Sequence, residues 1–274
     1  MKKKNLILFI TIIFSLIIFY SCSNDNPVTN DDENTNPTYS KVITAESGNL
    51  KFELWSASAN VLRYGYNKVG FKFFENNQEK TTGYVKYLPK MYHWVGSPMH
   101  TTPVKDRYDY DASQQLFTGY TVYLMVSDTS SFWYGFYNYN DQLNVDSVFF
   151  NVSQYTEAQV KLFSDYVAGA GYFITLVKPY TPLQGLNTFQ CMLHRTYDYI
   201  YFEQVNDAQM YIMPWMEAMG HGSSNNVHPV HIGDGIYEGT VNFNMAGEWT
   251  VADTVYYQNR KITPNNPPKF IFNP

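Results

Sequence analysis

Apolar and polar positions alternate in short runs along most of the chain, and the two exceptions stand at its start. Leu6 to Phe19 is an apolar stretch relieved only by Thr11 and Ser15, and residues 23–40 (SNDNPVTNDDENTNPTYS) are nearly free of apolar side chains. Beyond them come LKFELW (50–55), NKVGFKFF (67–74), TGYVKYL (82–88), LFTGYTVYLMV (116–126) and FWYGFYNY (132–139). The pattern continues with SVFFNV (147–152), GYFITLV (171–177), YDYIYFEQV (197–205), AQMYIM (208–213), YEGTVNFNM (237–245) and EWTVADTVYY (248–257). Runs with a period near two, rich in Tyr, Phe and Val and separated by Gly, Pro and Asn, predict strands. Short strands recurring about every 8–15 residues predict a β-sandwich. Residues 153–166 are ambiguous, because Thr156 and Gln159 stand at capping-box spacing. The VKLF within them reads as strand.

The same order of features occurs twice. LFTGYTVYLM (116–125) aligns without a gap to IYEGTVNFNM (236–245), pairing Phe117 with Tyr237, Gly119 with Gly239, Tyr123 with Phe243 and Met125 with Met245. Upstream, Pro89-Lys90-Met91 pairs with Pro214-Trp215-Met216; with one gap, Ser97 pairs with Ser223 and Pro103 with Pro229. Downstream, Phe132-Trp133 falls near Trp249. Self-similarity in this order predicts two tandem β-sandwich domains, residues 41–150 and 151–274.

The first residues change the picture from a free domain pair to an exported one. Three lysines precede the apolar run, which is shorter than the ~20 residues of a membrane span but suits a signal-peptide core. It ends in Phe19-Tyr20-Ser21-Cys22, which resembles a bacterial lipobox with Phe where Leu is usual. Residues 1–21 are then the signal peptide and Cys22 the lipidated residue; an uncleaved anchor or a plain secretory signal are the alternatives. Residues 22–40 predict a flexible tether, too poor in apolar groups to fold. Without Lys2, Lys3 and Lys4 the chain has 16 basic against 24 acidic residues, a net charge of −8. Such an acidic protein with no basic run is a poor partner for nucleic acid. The expected partners are a membrane, through the lipid, and an envelope metalloprotein or glycan; the outer membrane is the expected place. Cys191 has no cysteine partner once Cys22 is lipidated, and its strand context predicts a buried, inert thiol.

Between the aligned strands of each copy lies a loop rich in Met, His, Gly and Ser. The second is MPWMEAMGHGSSNNVHP (213–229), followed by His231. With GIYEGTVNFNMAGEWTV it resembles the YtkA-like family, which is FixH-like in appearance. The residues that carry the resemblance are Met216, Met219, Gly220, His221, Pro229, Gly235, Tyr237, Gly239, Phe243, Met245, Gly247 and Trp249. The first copy lacks the Met-Gly-His triplet and resembles the family only weakly. The resemblance implies an Ig-like sandwich at the cell envelope and a link with copper, without a defined activity.

Thioethers are soft ligands that suit Cu(I), and imidazole suits either copper oxidation state. The expected metal ligands are therefore Met216, Met219 and His221 in the second loop, and Met91, His93, Met99 and His100 in the first. Zinc fits less well, since a four-ligand set of its usual donors is not visible. His221, His228 and His231 with Glu217 or Asp234 offer a weaker Cu(II) alternative. Met213 and Met245, at strand ends, read as core, since Met fills irregular gaps against aromatics. The expected function is copper binding or delivery without turnover. The alternative is an adhesion, glycan-binding or protein-interaction module working through Trp94, Trp133, Trp215 or Trp249. An enzyme is not expected: Gly220-His221-Gly222-Ser223 is no nucleophile elbow, and neither a phosphate loop nor a His-Glu-x-x-His pattern occurs.

Overall fold

The computed structural model describes residues 37–93 and 100–274, without the side chains of Asp146 and Ser147. The expected signal peptide and lipidated Cys22, most of the expected tether, Trp94 and Met99 lie outside the described residues. Everything described is strand, turn or loop.

Sixteen strands build two cores. The first set is β1 (Ser40–Ser47), β2 (Leu50–Ser56), β3 (Gly65–Glu75), β4 (Tyr84–His93), β5 (Tyr108–Asp111), β6 (Leu116–Tyr123), β7 (Ser131–Tyr139) and β8 (Leu143–Phe150). The second is β9 (Val160–Asp165), β10 (Ala170–Lys178), β11 (Gly185–Thr196), β12 (Gln209–Met216), β13 (Val227–Gly233), β14 (Ile236–Phe243), β15 (Trp249–Tyr257) and β16 (Lys269–Phe272). Short two- and three-residue pairings decorate both. The segment 153–166, ambiguous in sequence, contributes β9 and no helix.

The order of pairing is the same in both sets. In the first domain it runs β1-β2-β3-β6-β5-β4-β7-β8, and in the second β9-β10-β11-β14-β13 faces a separate sheet β12-β15-β16. The difference lies at one corner. There β5 pairs with both β6 and β4, so the first sheet turns over without a break. In the second domain β13 pairs only with β14. Its His228 reaches across instead, and Nδ1 accepts the Ile212 backbone N–H at 3.2 Å, which satisfies a donor on the edge strand β12.

Matching side chains occupy matching places. Asn67 and Asn187 each close the turn before β3 or β11, accepting from the N–H of Arg63 or Leu183 at 2.9 Å and donating to the carbonyls of Gly65 or Gly185, also at 2.9 Å. The cores differ in chemistry. Phe71 lies opposite Phe117, and Cys191 opposite Tyr237; Tyr137 lies opposite Tyr87, and Asp253 opposite Ile212. The first core is thus an aromatic stack, with Tyr87 and Tyr137 5.2 Å apart. The second holds a thiol and a carboxyl. Cys191 is buried and donates to Met210 Sδ at 3.6 Å, and burial pushes its thiol well above the usual range, as the inert role requires.

One alignment pair is corrected. Val122 N donates to Pro103 O at 2.8 Å, whereas Pro229 lies against Gly239, the counterpart of Gly119. The two prolines are therefore three positions apart along equivalent strands and are not equivalent.

The domains touch through β6 and β11. Tyr120, Val122, Val177 and Met192 form a small apolar cluster of their own. The Tyr120 hydroxyl accepts from the Gln204 side chain and lies 3.1 Å from His194 Nε2, while Lys105 pairs with Asp234 at 2.9 Å.

Candidate metal site in each domain

The alternation of β4 and β12 decides where the first methionines point. On β4, Val85, Tyr87 and Met91 face inward; on β12, Met210, Ile212 and Met216 do. Met91 is fully buried and Met216 is 3% exposed, its methyl carbon lying 3.2 Å from where a Cβ at Gly247 would stand. These two proposed ligands thus enter from the core side. Met213, on the opposite parity, is 59% exposed, and Met245 is 37% exposed, so the expectation that both are core is overturned. A strand residue adjacent to an inward one faces solvent whatever its hydrophobicity.

Each loop then returns a histidine beside its buried methionine. In the first domain Met91 N donates to His100 O at 2.9 Å. In the second, the N–H groups of Met219 and Gly220 close a turn on Met216 O, and His221 pairs with Met216. Gly220 takes φ +66°, a conformation that glycine adopts without strain. Met219 stands at the tip of this turn, 59% exposed.

Each histidine stands edge-on to a buried tryptophan. The ring centroids of His100 and Trp133 are 5.6 Å apart and those of His221 and Trp249 are 5.8 Å apart. Each indole Nε1–H donates at 3.0 Å to the carbonyl of a methionine just past the neighbouring strand, Met125 and Met245 respectively. The histidine Nδ1 lies 2.9 Å from Thr101 O in the first domain and 2.8 Å from Gly222 O in the second. A carbonyl can only accept, so Nδ1 carries a proton, and in the neutral ring Nε2 keeps its lone pair. A backbone carbonyl on the second ring nitrogen is how metal-ligating histidines are commonly held. In the first domain His100 Nε2 lies 3.2 Å from Met125 Sδ. Burial holds the pKa of His100 below the usual histidine value. His93, whose Nδ1 lies 2.7 Å from Ser131 Oγ, has its ring 6.3 Å from that of His100.

Met125 was missed in the sequence as a candidate. Its signal was there, since the repeat pairs it with Met245 ahead of the two tryptophans. The Cu(II) alternative is not assembled: His228 is engaged with Ile212, Glu217 with Lys269 and Asp234 with Lys105. Among the described residues no three His, Cys, Asp or Glu side chains converge. Trp133 and Trp249 are fully buried; of the four tryptophans named for stacking this leaves the half-buried Trp215 described and open, and Trp55 is half-buried as well.

Comparison with known proteins places the second loop. Residues 167–252 match the YtkA-like family. The match runs from just before β10 into β15 and includes the turn, His221 and Trp249. No curated protein matches the chain. Solved structures with detectable similarity include the Escherichia coli adhesin FdeC, at 11% identity and TM-score 0.27 over 84% of this chain. Invasin, a bacterial integrin-binding protein, is similar at 11% identity and TM-score 0.23 over 82%. A conserved domain protein from Bacillus anthracis is similar at 8% identity and TM-score 0.29 over 88% of this chain and 92% of its own. The chain spans 65% of the FdeC chain and 38% of the invasin chain. Superpositions this loose say nothing about activity.

Proposed function

We propose that the protein is a lipid-anchored cell-envelope protein whose YtkA-like domain binds or delivers copper without catalytic turnover. The observation that carries this reading is the His221 ring, set by Nδ1 on the Gly222 carbonyl so that Nε2 offers its lone pair beside a thioether-rich turn. The donors fit a soft monovalent ion: one imidazole, the exposed sulfur of Met219, and Met216 from the core side. The anchor rests on the basic start, the apolar run and Cys22, and the outer membrane is the place proposed for it. The adhesion alternative loses two of its four tryptophans to the cores.

The test is Cu(I) titration against a competing chelator under reducing conditions. Sub-micromolar binding is expected, and His221→Ala combined with Met219→Leu should abolish it while leaving the core intact. Met216→Ala is a poor probe, because it would open a cavity beside Trp249. Binding weaker than micromolar, or unchanged in the double variant, would sink the copper reading. The anchor is tested separately: labelled palmitate should enter the chain and be lost in Cys22→Ala.

A further inference from the structure

The first domain lies outside the YtkA-like match, yet the contact between His100 and Met125 within it is unusual. In the neutral ring His100 Nε2 carries a lone pair, because the proton sits on Nδ1, which donates its N–H to Thr101 O. A thioether sulfur has only lone pairs to offer and no hydrogen. Two electron-pair donors therefore face each other at 3.2 Å with nothing between them to share. With the bond lengths of zinc sites as a guide, about 2.0 Å to nitrogen and about 2.3 Å to sulfur, two ligands at roughly a right angle on one ion stand at such a separation.

We infer that His100 Nε2 and Met125 Sδ, with His93 as third donor, form a second soft-metal site at the end of the first domain. The reach of His93 is set by geometry: its ring centroid is 6.3 Å from that of His100, so the two imidazoles meet one ion from nearly opposite sides. Ser131 Oγ, 2.7 Å from His93 Nδ1, fixes the orientation of that ring, and as a hydroxyl it can donate to that nitrogen or accept from it. Trp133 walls the site from below, as Trp249 does for its counterpart. The donor sets differ between the domains. His93 stands two residues after Met91, and the residue two after Met216 is Ala218. The first site therefore offers two imidazoles and a thioether, and the second one imidazole among thioethers. The same comparison makes Met245, the counterpart of Met125, a ligand candidate in the YtkA-like domain.

The metal's identity rests on the copper reading given above, but the site itself does not. The experiment is a Cu(I) titration of the full chain in detergent, under reducing conditions, with a chromogenic chelator as competitor. Two equivalents are expected. Met125→Leu, a conservative change at a side chain 39% exposed, should weaken one of them by at least about tenfold, the loss seen even for outer partners of metal ligands. His100→Ala with Met125→Leu should remove that equivalent and leave the other. A single equivalent, lost only in the His221→Ala variant, would overturn this inference and leave the copper reading of the YtkA-like domain standing. One equivalent lost only in the His100 variant would do the reverse. No binding at all would overturn both.

Discussion

Asp253 points inward from β15, is fully buried, and neither of its carboxyl oxygens has a hydrogen-bond partner. Its counterpart Tyr137 also leaves a buried hydroxyl without a partner, so this place in the sandwich holds an unpaired polar atom in both domains. A buried charge without a partner is far costlier than a neutral group, and burial pushes the Asp253 carboxyl well above the usual carboxylate range. In the unfolded chain it ionises near pH 4. A group whose folded pKa is raised contributes fully below the unfolded value and loses that contribution as pH rises through the folded one. Asp253→Val should therefore stabilise the protein by about 1–3 kcal/mol at pH 7. It should also flatten the decline in stability between pH 4 and 7. Urea unfolding at several pH values checks this, and identical profiles for variant and parent would contradict it.

Gly119 and Gly239 were the clearest match between the two copies, and the elements show that they serve different neighbours. A Cβ at Gly119 would stand 2.5 Å from the Tyr108 ring, whereas one at Gly239 would stand 2.4 Å from the Val227 carbonyl. Close packing forbids either, and relief at Gly239 requires β13 to move off β14. Gly239→Ala should cost about 1–3 kcal/mol. It should also raise hydrogen exchange across Val227–Gly233, the strand that carries His228 across to β12. Unchanged exchange there would mean that β13 is held by something else. The strands themselves were legible because period-two alternation is a local signal. On β12 the same alternation already separates Met213 from Met210, Ile212 and Met216. Reading Met213 as core let hydrophobicity override parity.

At the scale of the whole molecule, the two sandwiches are joined through a histidine. His194 is fully buried, and its Nε2 faces the Tyr120 hydroxyl of the other domain while Nδ1 has no partner. Burial lowers its pKa to about 3, so the ring is neutral across the ordinary pH range. The sign here is opposite to that of Asp253. A histidine whose folded pKa is depressed supports the fold above its unfolded value of about 6.5 and loses that support as pH falls toward 3. Tyr120→Phe leaves both ring nitrogens without partners and should cost about 1–3 kcal/mol. The cost falls on the junction, so calorimetry should show one melting transition separating into two. A single unshifted transition would show that the apolar cluster around Val122 and Met192 holds the domains together by itself.

Local and repeated signals were enough, from the sequence, for the all-β class, the doubled order of strands, the inert thiol and the Met/His loop of the YtkA-like domain. Each depends on neighbours close along the chain or on comparison of the chain with itself. Tertiary structure alone decided which sulfur meets which imidazole. His100 follows β4 and Met125 follows β6, and their meeting at 3.2 Å depends on how β5 stitches those strands across a corner. It likewise decided that Pro103 and Pro229 are not equivalent, and that His228 caps an edge strand. The reason is the same in each case: alternation fixes the face a side chain occupies, while distance across a sandwich is set by pairing between strands remote in sequence.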